Sequence, residues 1–132
     1  MPENTGRLKR YMDLARKVAE ESASTDYRHG AVLTRGAAVI NTSCNKNGFK
    51  SFGQRFRDRD CGHATRHAEL GVILGVDRSK TTGAVVYVAR IGKAGELRLS
   101  KPCHMCRAVL KYVGVKKVFY SIDENEIGVI KL

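Results

Sequence analysis

The chain predicts an α/β domain of three layers (α-β-α), with helices on both faces of a central five-stranded mixed sheet. Three observations predict it. Apolar β-prone runs alternate with amphipathic stretches along the chain. The run Ala84–Ala89 (AVVYVA) is apolar throughout, as a strand covered on both faces should be. The last two strand candidates, Lys117–Ser121 and Ile127–Lys131, are joined only by Ile122–Glu126. A parallel crossover needs about a dozen residues or more, so these two should pair antiparallel.

The elements follow in order. Residues 6–22 read as an amphipathic helix, because Leu8, Tyr11, Met12, Ala15, Val18 and Ala19 recur at helical spacing and Thr5 can cap its start. Ala31–Thr34 and Ala37–Asn41 are short β-prone runs around Arg35-Gly36, a hairpin signal. Residues 42–62 are polar and aperiodic and read as a long loop, a feature that in compact domains is usually functional or disordered. His67–Leu74 reads as a helix stopped by Gly75. Cys103–Val113 reads as another, with Pro102 before it and Gly114 after it.

Residues 1–132 are short enough for a single domain and long enough to bury a core. The composition, 42% hydrophobic and 28% charged, is that of an ordinary globular protein rather than a fibrous or disordered one. No apolar run approaches the ~20 residues that span a bilayer, and the N-terminus lacks a signal-peptide core. A cytoplasmic location and no membrane partner are expected. Cysteines in such a setting point to metal or free thiols rather than a disulfide framework.

Net charge is +11. The excess is uneven: residues 31–66 hold seven basic and two acidic residues, and residues 78–117 hold ten basic and one acidic. Basic surface of this kind suits a phosphate-bearing partner, although it also serves solubility alone.

The chemistry concentrates in His67-Ala68-Glu69 and Pro102-Cys103-His104-Met105-Cys106. His67, Cys103 and Cys106 are three good zinc ligands, and three protein ligands leave a fourth position for water, as catalytic zinc requires. Glu69 is a carboxylate placed to move that water's protons without ligating the metal. Cys103 and Cys106 are spaced to face one point from the first turn of a helix, where the helix dipole favours thiolate. H-x-E or P-C-x-x-C alone is a weak signal. Together they form the H-x-E…P-C-x-x-C signature of zinc nucleobase deaminases. A thioredoxin-like reading of Cys103 and Cys106 leaves His67 and Glu69 unexplained.

From about residue 8 to 131 the chain resembles the cytidine deaminase superfamily, which includes cytidine, deoxycytidylate, tRNA adenosine and polynucleotide deaminases. The carriers are HGAVL (His29–Leu33), VINTSCN (Val39–Asn45), HAEL (His67–Leu70), and KPCHMCRAVL followed by VKKVFYS. The resemblance implies a cytidine-deaminase-like fold, one catalytic zinc on His67, Cys103 and Cys106, and Glu69 as proton shuttle. It matches Asn45 to a residue that hydrogen-bonds the base or sugar, and the Ala68 backbone to a contact with the exocyclic group. Asn45 can equally be a turn residue. Family members commonly form dimers or tetramers, so a homo-oligomer is possible here.

Among the branches, free-cytidine deaminases and several toxin deaminases share the short final link, and Cys106-Arg107 resembles the C-R of cytidine deaminases. Both features favour cytosine-to-uracil chemistry over adenine-to-inosine chemistry in tRNA or other RNA. Two departures weigh against free cytidine. His67 stands where cytidine deaminases usually have Cys, and Asn47 stands where they have a ribose-holding Glu.

Phe49, Phe52 and Phe56 are interleaved with Lys46, Lys50, Arg55, Arg57 and Arg59. Such a pattern suits single-stranded nucleic acid, with bases stacking and cations following the backbone. Phe49, Arg55 and Arg57 are therefore substrate-binding candidates. The arginines could instead hold a mononucleotide phosphate, or the phenylalanines could simply pack the loop. Cys61 and His63 suit a loop better than a second, structural zinc, for which Cys44 could join them and His29 or His104 would have to complete the ligand set. The non-enzymatic alternative is a zinc-stabilised nucleic-acid-binding module, which would have no need of Glu69.

Overall fold

The computed structural model describes residues 5–22, 28–47, 65–66 and 68–132. Helix α1 (Thr5–Ala19) is followed by strands β1 (Arg28–Arg35), β2 (Ala38–Cys44), β3 (Lys46–Asn47) and β4 (Thr65–Arg66). Then come two single turns of helix, α2 (Ala68–Gly71) and α3 (Arg78–Thr81), and strands β5 (Val85–Ile91) and β6 (Leu97–Arg98). Helix α4 (His104–Tyr112) and strands β7 (Lys117–Ser121) and β8 (Ile127–Lys131) complete the order.

The main sheet runs β2-β1-β5-β7-β8, with β6 added beside the end of β5. It has six strands rather than the expected five, because Leu97–Arg98 folds back on Arg90–Ile91. A two-residue strand leaves too little alternation to be seen in sequence. The sheet is mixed: β5 and β7 are parallel, while β1–β2, β1–β5, β5–β6 and β7–β8 are antiparallel. The expected antiparallel closure of the last two strands is thus present, with Phe119 opposite Val129.

Two apolar clusters make three layers. On one face, Tyr11, Met12 and Ala15 of α1 pack on Val32, Tyr87, Ala89 and Phe119. Tyr87 stacks on Phe119 at a ring separation of 5.1 Å, and Tyr11 anchors α1 by donating to the Ala37 carbonyl at 2.8 Å. Gly30 lets α1 approach β1 this closely, since a Cβ there would meet the Ala15 carbonyl and the Ala19 amide. On the other face, Ala68, Leu70, Val72, Met105, Cys106, Val109 and Leu110 pack on Ala31, Leu33, Val86, Val88 and Val118. Both motif halves therefore lie on one side of the sheet.

Several boundaries move. Helix α1 stops at Ala19 rather than 22, and Glu20–Ser22 finish it with tighter i→i−3 bonds. The hairpin is longer than its apolar runs, because edge strand β2 continues through polar Thr42 and Ser43 to Cys44. The expected loop therefore starts later than residue 42, and its ends pair as Lys46–Arg66 and Asn47–Thr65. The helix expected over 67–74 is a single turn, after which turns lead to Gly75 at φ +76°. Among the described residues no helix is long and apolar enough to cross a membrane.

Candidate active site

The site is built where α2 and α4 meet on the sheet. Helix α4 forms because Met105, Cys106, Val109 and Leu110 recur at i, i+1, i+4 and i+5 and are all buried. Pro102 is buried just before it, and Cys103 takes the N-cap position with an extended backbone (φ −74°, ψ 171°). The Cys103 carbonyl accepts from the Arg107 N–H at 3.0 Å, closing the first turn. Gly114 ends the helix at φ +94°, a conformation an L side chain resists.

Cys103 is half-buried and Cys106 fully buried. The first turn of α4 carries no acidic residue, so the positive end of its dipole is available to sulfur-borne negative charge. Two thiols from one helical turn are a donor pair that suits zinc. His67, the third candidate ligand, lies outside the described residues. Among those residues no three His, Cys, Asp or Glu gather into a metal-holding group.

Glu69 is 4% exposed, between Ala68 at 0% and Leu70 at 3%. It sits in a turn held by Val72 N–H donating to the Ala68 carbonyl at 3.0 Å. Asn41 on β2 locks that turn, its Nδ2 donating to the Val72 carbonyl at 3.0 Å. Ala68, Leu70, Met105 and Cys106 belong to one core cluster with Cys103 packed against it. The neighbours of Glu69 and the two cysteines are thus brought into one cluster from segments distant in sequence.

Asn45 is buried at the end of β2. Its Oδ1 accepts from the His29 N–H at 2.9 Å, its own N–H donates to the His29 carbonyl at 3.1 Å, and its carbonyl accepts from Ser22 Oγ at 3.2 Å. Asn45 thus extends the β1–β2 pairing by one residue rather than forming a turn. Phe49, Arg55, Arg57, Cys61 and His63 lie outside the described residues.

Sequence reasoning overlooked Ser100 and Ser121. Both are buried. Ser100 Oγ donates to the Val88 carbonyl at 2.9 Å and receives the Ser121 N–H at 2.8 Å, and the two hydroxyls lie 2.9 Å apart. This pair ties the segment leading to Pro102-Cys103 onto β5 and β7. Two serines more than twenty positions apart leave no local signal.

Solved structures of deaminases share this architecture. Cytidine deaminase from Burkholderia pseudomallei superposes with a TM-score of 0.66 at 17% identity, covering 93% of this chain and 91% of that one. The dCMP deaminase of cyanophage S-TIM5, in apo form, gives 0.64 at 20% identity over 89% of this chain and 84% of that one. Guanine deaminase from Bacillus subtilis gives 0.52 at 20% identity over 92% of this chain and 65% of that one. At these identities the likeness establishes a common fold, that of the cytidine-deaminase-like α-β-α class. The sequence profile of the family described as the cytidine and deoxycytidylate deaminase zinc-binding region matches residues 6–122, and the chain belongs to that family. No curated protein sequence matches it significantly.

Proposed function

We propose that this chain is a single zinc-dependent deaminase domain that hydrolyses a cytosine-type base to its uracil counterpart, with release of ammonia. The observation that carries the reading is that Glu69 is buried between Ala68 and Leu70, which share one core cluster with Cys106 and have Cys103 packed against that cluster. His67, Cys103 and Cys106 would hold one zinc ion. When bound, zinc supplies a Lewis acid that makes water nucleophilic near neutral pH.

The chain's own part is proton traffic and positioning. Water oxygen bonds to C4, and the C4–amine bond breaks. Glu69 takes a proton from the water and passes protons to ring N3 and the leaving amine. Burial among Ala68 and Leu70 keeps its carboxylate aimed and limits competing solvent. The Ala68 backbone would contact the exocyclic group, and Asn45 the base or sugar.

Cytosine is favoured over adenine by the antiparallel β7–β8 pair with its short link, which matches the cytidine-type branches. The substrate is a nucleotide or a base in a single strand, with Phe49, Arg55 and Arg57 as candidate contacts. The S-TIM5 enzyme has been solved with dCMP and dUMP, which supports a nucleotide-sized substrate here.

The test is a panel of cytidine, its phosphates, cytosine- and adenine-bearing oligonucleotides and tRNA, read by mass spectrometry for a product about 1 Da heavier. Purified protein should carry about one zinc per chain, as a three-ligand catalytic site requires. Zinc-loaded protein that changes no base in the panel would overturn the reading.

A further inference from the structure

A row of three basic residues crosses the sheet beside the candidate site. His29 on β1 stands opposite Arg90 on β5, and Arg90 stands opposite Arg98 on β6. Residues directly opposed in antiparallel strands project to the same face. Alternation identifies that face. Ala31 and Leu33 on β1, and Val86 and Val88 on β5, belong to the cluster that holds α2 and α4. His29 and Arg90 lie two residues from them and take the same side. The neighbouring Ile91–Leu97 pair goes the other way, with Leu97 packed on the α1 cluster, which assigns Arg98 to the α2–α4 side.

Arg90 faces Arg98 across β5 and β6, which concentrates positive charge of the kind that suits an anion. A cavity of about 300 Å³ opens here, lined by Arg90, Gly92, Lys93, Ala94, Glu96 and Arg98. Its lining holds three cations and one carboxylate. Glu96 is already engaged, with Oε1 accepting the Ala94 N–H at 3.1 Å and Oε2 lying 3.6 Å from Arg98 Nε.

The hairpin that carries the cavity is braced from outside. Arg28 Nη2 donates to the Gly92 carbonyl at 2.6 Å, and Arg16 donates to the Gly95 carbonyl from Nε at 3.1 Å and Nη2 at 2.6 Å. It is also tied to the active site. Val88, one turn of the pleat before Arg90, accepts the hydroxyl of Ser100, three residues before Cys103. The cavity and the thiols are therefore linked through one hydrogen bond, two residues from Arg90 on one side and three residues from Cys103 on the other.

We propose that Arg90, Lys93 and Arg98 receive a phosphate of the substrate, with His29 bordering the row, so that the enzyme selects phosphate-bearing cytosine compounds over free nucleosides. This rests on the deaminase reading above. Two guanidiniums can bind phosphate oxygens in bidentate fashion, and Lys93 adds a mobile point charge. The phosphate could be a terminal monoester or a strand's phosphodiester.

The experiment compares wild-type protein with the double variant Lys93→Gln/Arg98→Gln. Both positions are exposed, so folding is not at stake, whereas Arg90 is half-buried in a central strand and is left intact. The readout is the ratio of kcat/KM for cytidine 5′-monophosphate to that for cytidine, with calorimetric binding of ribose 5-phosphate alongside. The wild-type ratio should be large, and the double variant should lower it about 10- to 100-fold, the usual cost of losing charge-assisted hydrogen bonds. Arg98→Lys should restore part of it. A wild-type ratio near one, or a ratio the variant leaves unmoved, overturns the proposal while the deaminase reading stands. If no base is deaminated, that reading falls, and ribose 5-phosphate decides the phosphate site: binding lost in the variant supports it, and no binding to wild type overturns it. Replacing the monophosphate with an oligodeoxycytidine in the same comparison distinguishes monoester from phosphodiester.

Discussion

The two helical segments that build the site differ in how they are held. Helix α4 is nine residues long, with a buried apolar stripe, Cys103 at its N-cap and Gly114 behind its last turn. Helix α2 is a single turn of four residues. It cannot stand on local propensity, since a lone turn is far below the length at which isolated helices form. Burial of Ala68, Glu69 and Leu70 and the Asn41–Val72 hydrogen bond hold it in place. The thiols are therefore presented by secondary structure, and the carboxylate by tertiary packing. The proposed proton carrier therefore lies on the segment with the least local support, which makes the position of Glu69 dependent on the core beneath it.

The largest expected effect breaks the α2 side chemically while sparing its packing. Glu69→Gln keeps size and shape but removes the proton carrier, and should lower kcat about 10²–10⁴-fold, the range of general acid–base catalysis. Zinc content and melting temperature should change little. A variant that keeps near wild-type turnover on the best substrate of the panel would remove Glu69 from its proposed role.

The next pair of variants measures the packing difference directly. Leu110 on α4 is 0% exposed and Leu70 on α2 is 3% exposed. Either truncation to alanine should cost about 2–5 kcal/mol. Leu110→Ala should fall toward the upper end, because α4 is anchored at both ends and cannot collapse onto the void. Leu70→Ala should fall toward the lower end, because the turns after Gly71 can resettle. Activity should rank the other way, with Leu70→Ala losing more turnover at a temperature where both variants are folded. Denaturant unfolding with parallel kinetics checks both orders, and a common ranking in the two assays would refute the division of labour. A smaller effect is expected at the α4 stop. Gly114→Ala forces a Cβ at φ +94° to within 2.9 Å of Thr82 Cα, and should cost about 1–2 kcal/mol or somewhat more in thermal unfolding.

The same contrast accounts for what could be read in the chain beforehand. Strands β7 and β8 and helix α4 were legible because apolar periodicity, Pro102 and Gly114 mark them locally. Their antiparallel closure followed from a five-residue link that is too short for a crossover. Helix α3 was missed because Arg78–Thr81 is polar apart from its own backbone turn, capped at Asp77. Strand β6 and the β3–β4 pair are two residues each and exist only through their partners. In the site, the ligand types and Glu69 were visible as spacing. The Ser100–Ser121 tie and the His29–Arg90–Arg98 row were not, because both depend on strand register, which brings together residues that sequence spacing keeps apart.

The smallest predicted effect concerns the hairpin between β5 and β6, the other braced element beside the site. The Glu96 carboxyl is held below its ordinary value of 4.5, chiefly by its own backbone N–H; desolvation opposes this, and the Ala94 N–H and the Arg98 guanidinium add to the lowering. A carboxyl lowered on folding favours the native state wherever it is ionised. That contribution is fully present above the ordinary carboxylate range and is lost as pH falls through the lowered folded value. Glu96→Gln should therefore leave a slightly reduced stability at neutral pH and flatten the acid limb of the pH–stability curve. The hairpin is solvent-exposed there, so the change should be small and should shrink further in high salt. Hydrogen exchange at Ala94, whose N–H the carboxylate accepts, gives the local readout: protection at neutral pH that weakens on acidification in the wild type and is already weak in the variant. Equal protection in both proteins across the acid range would show that the backbone braces from Arg16 and Arg28, rather than the carboxylate, hold the hairpin's shape.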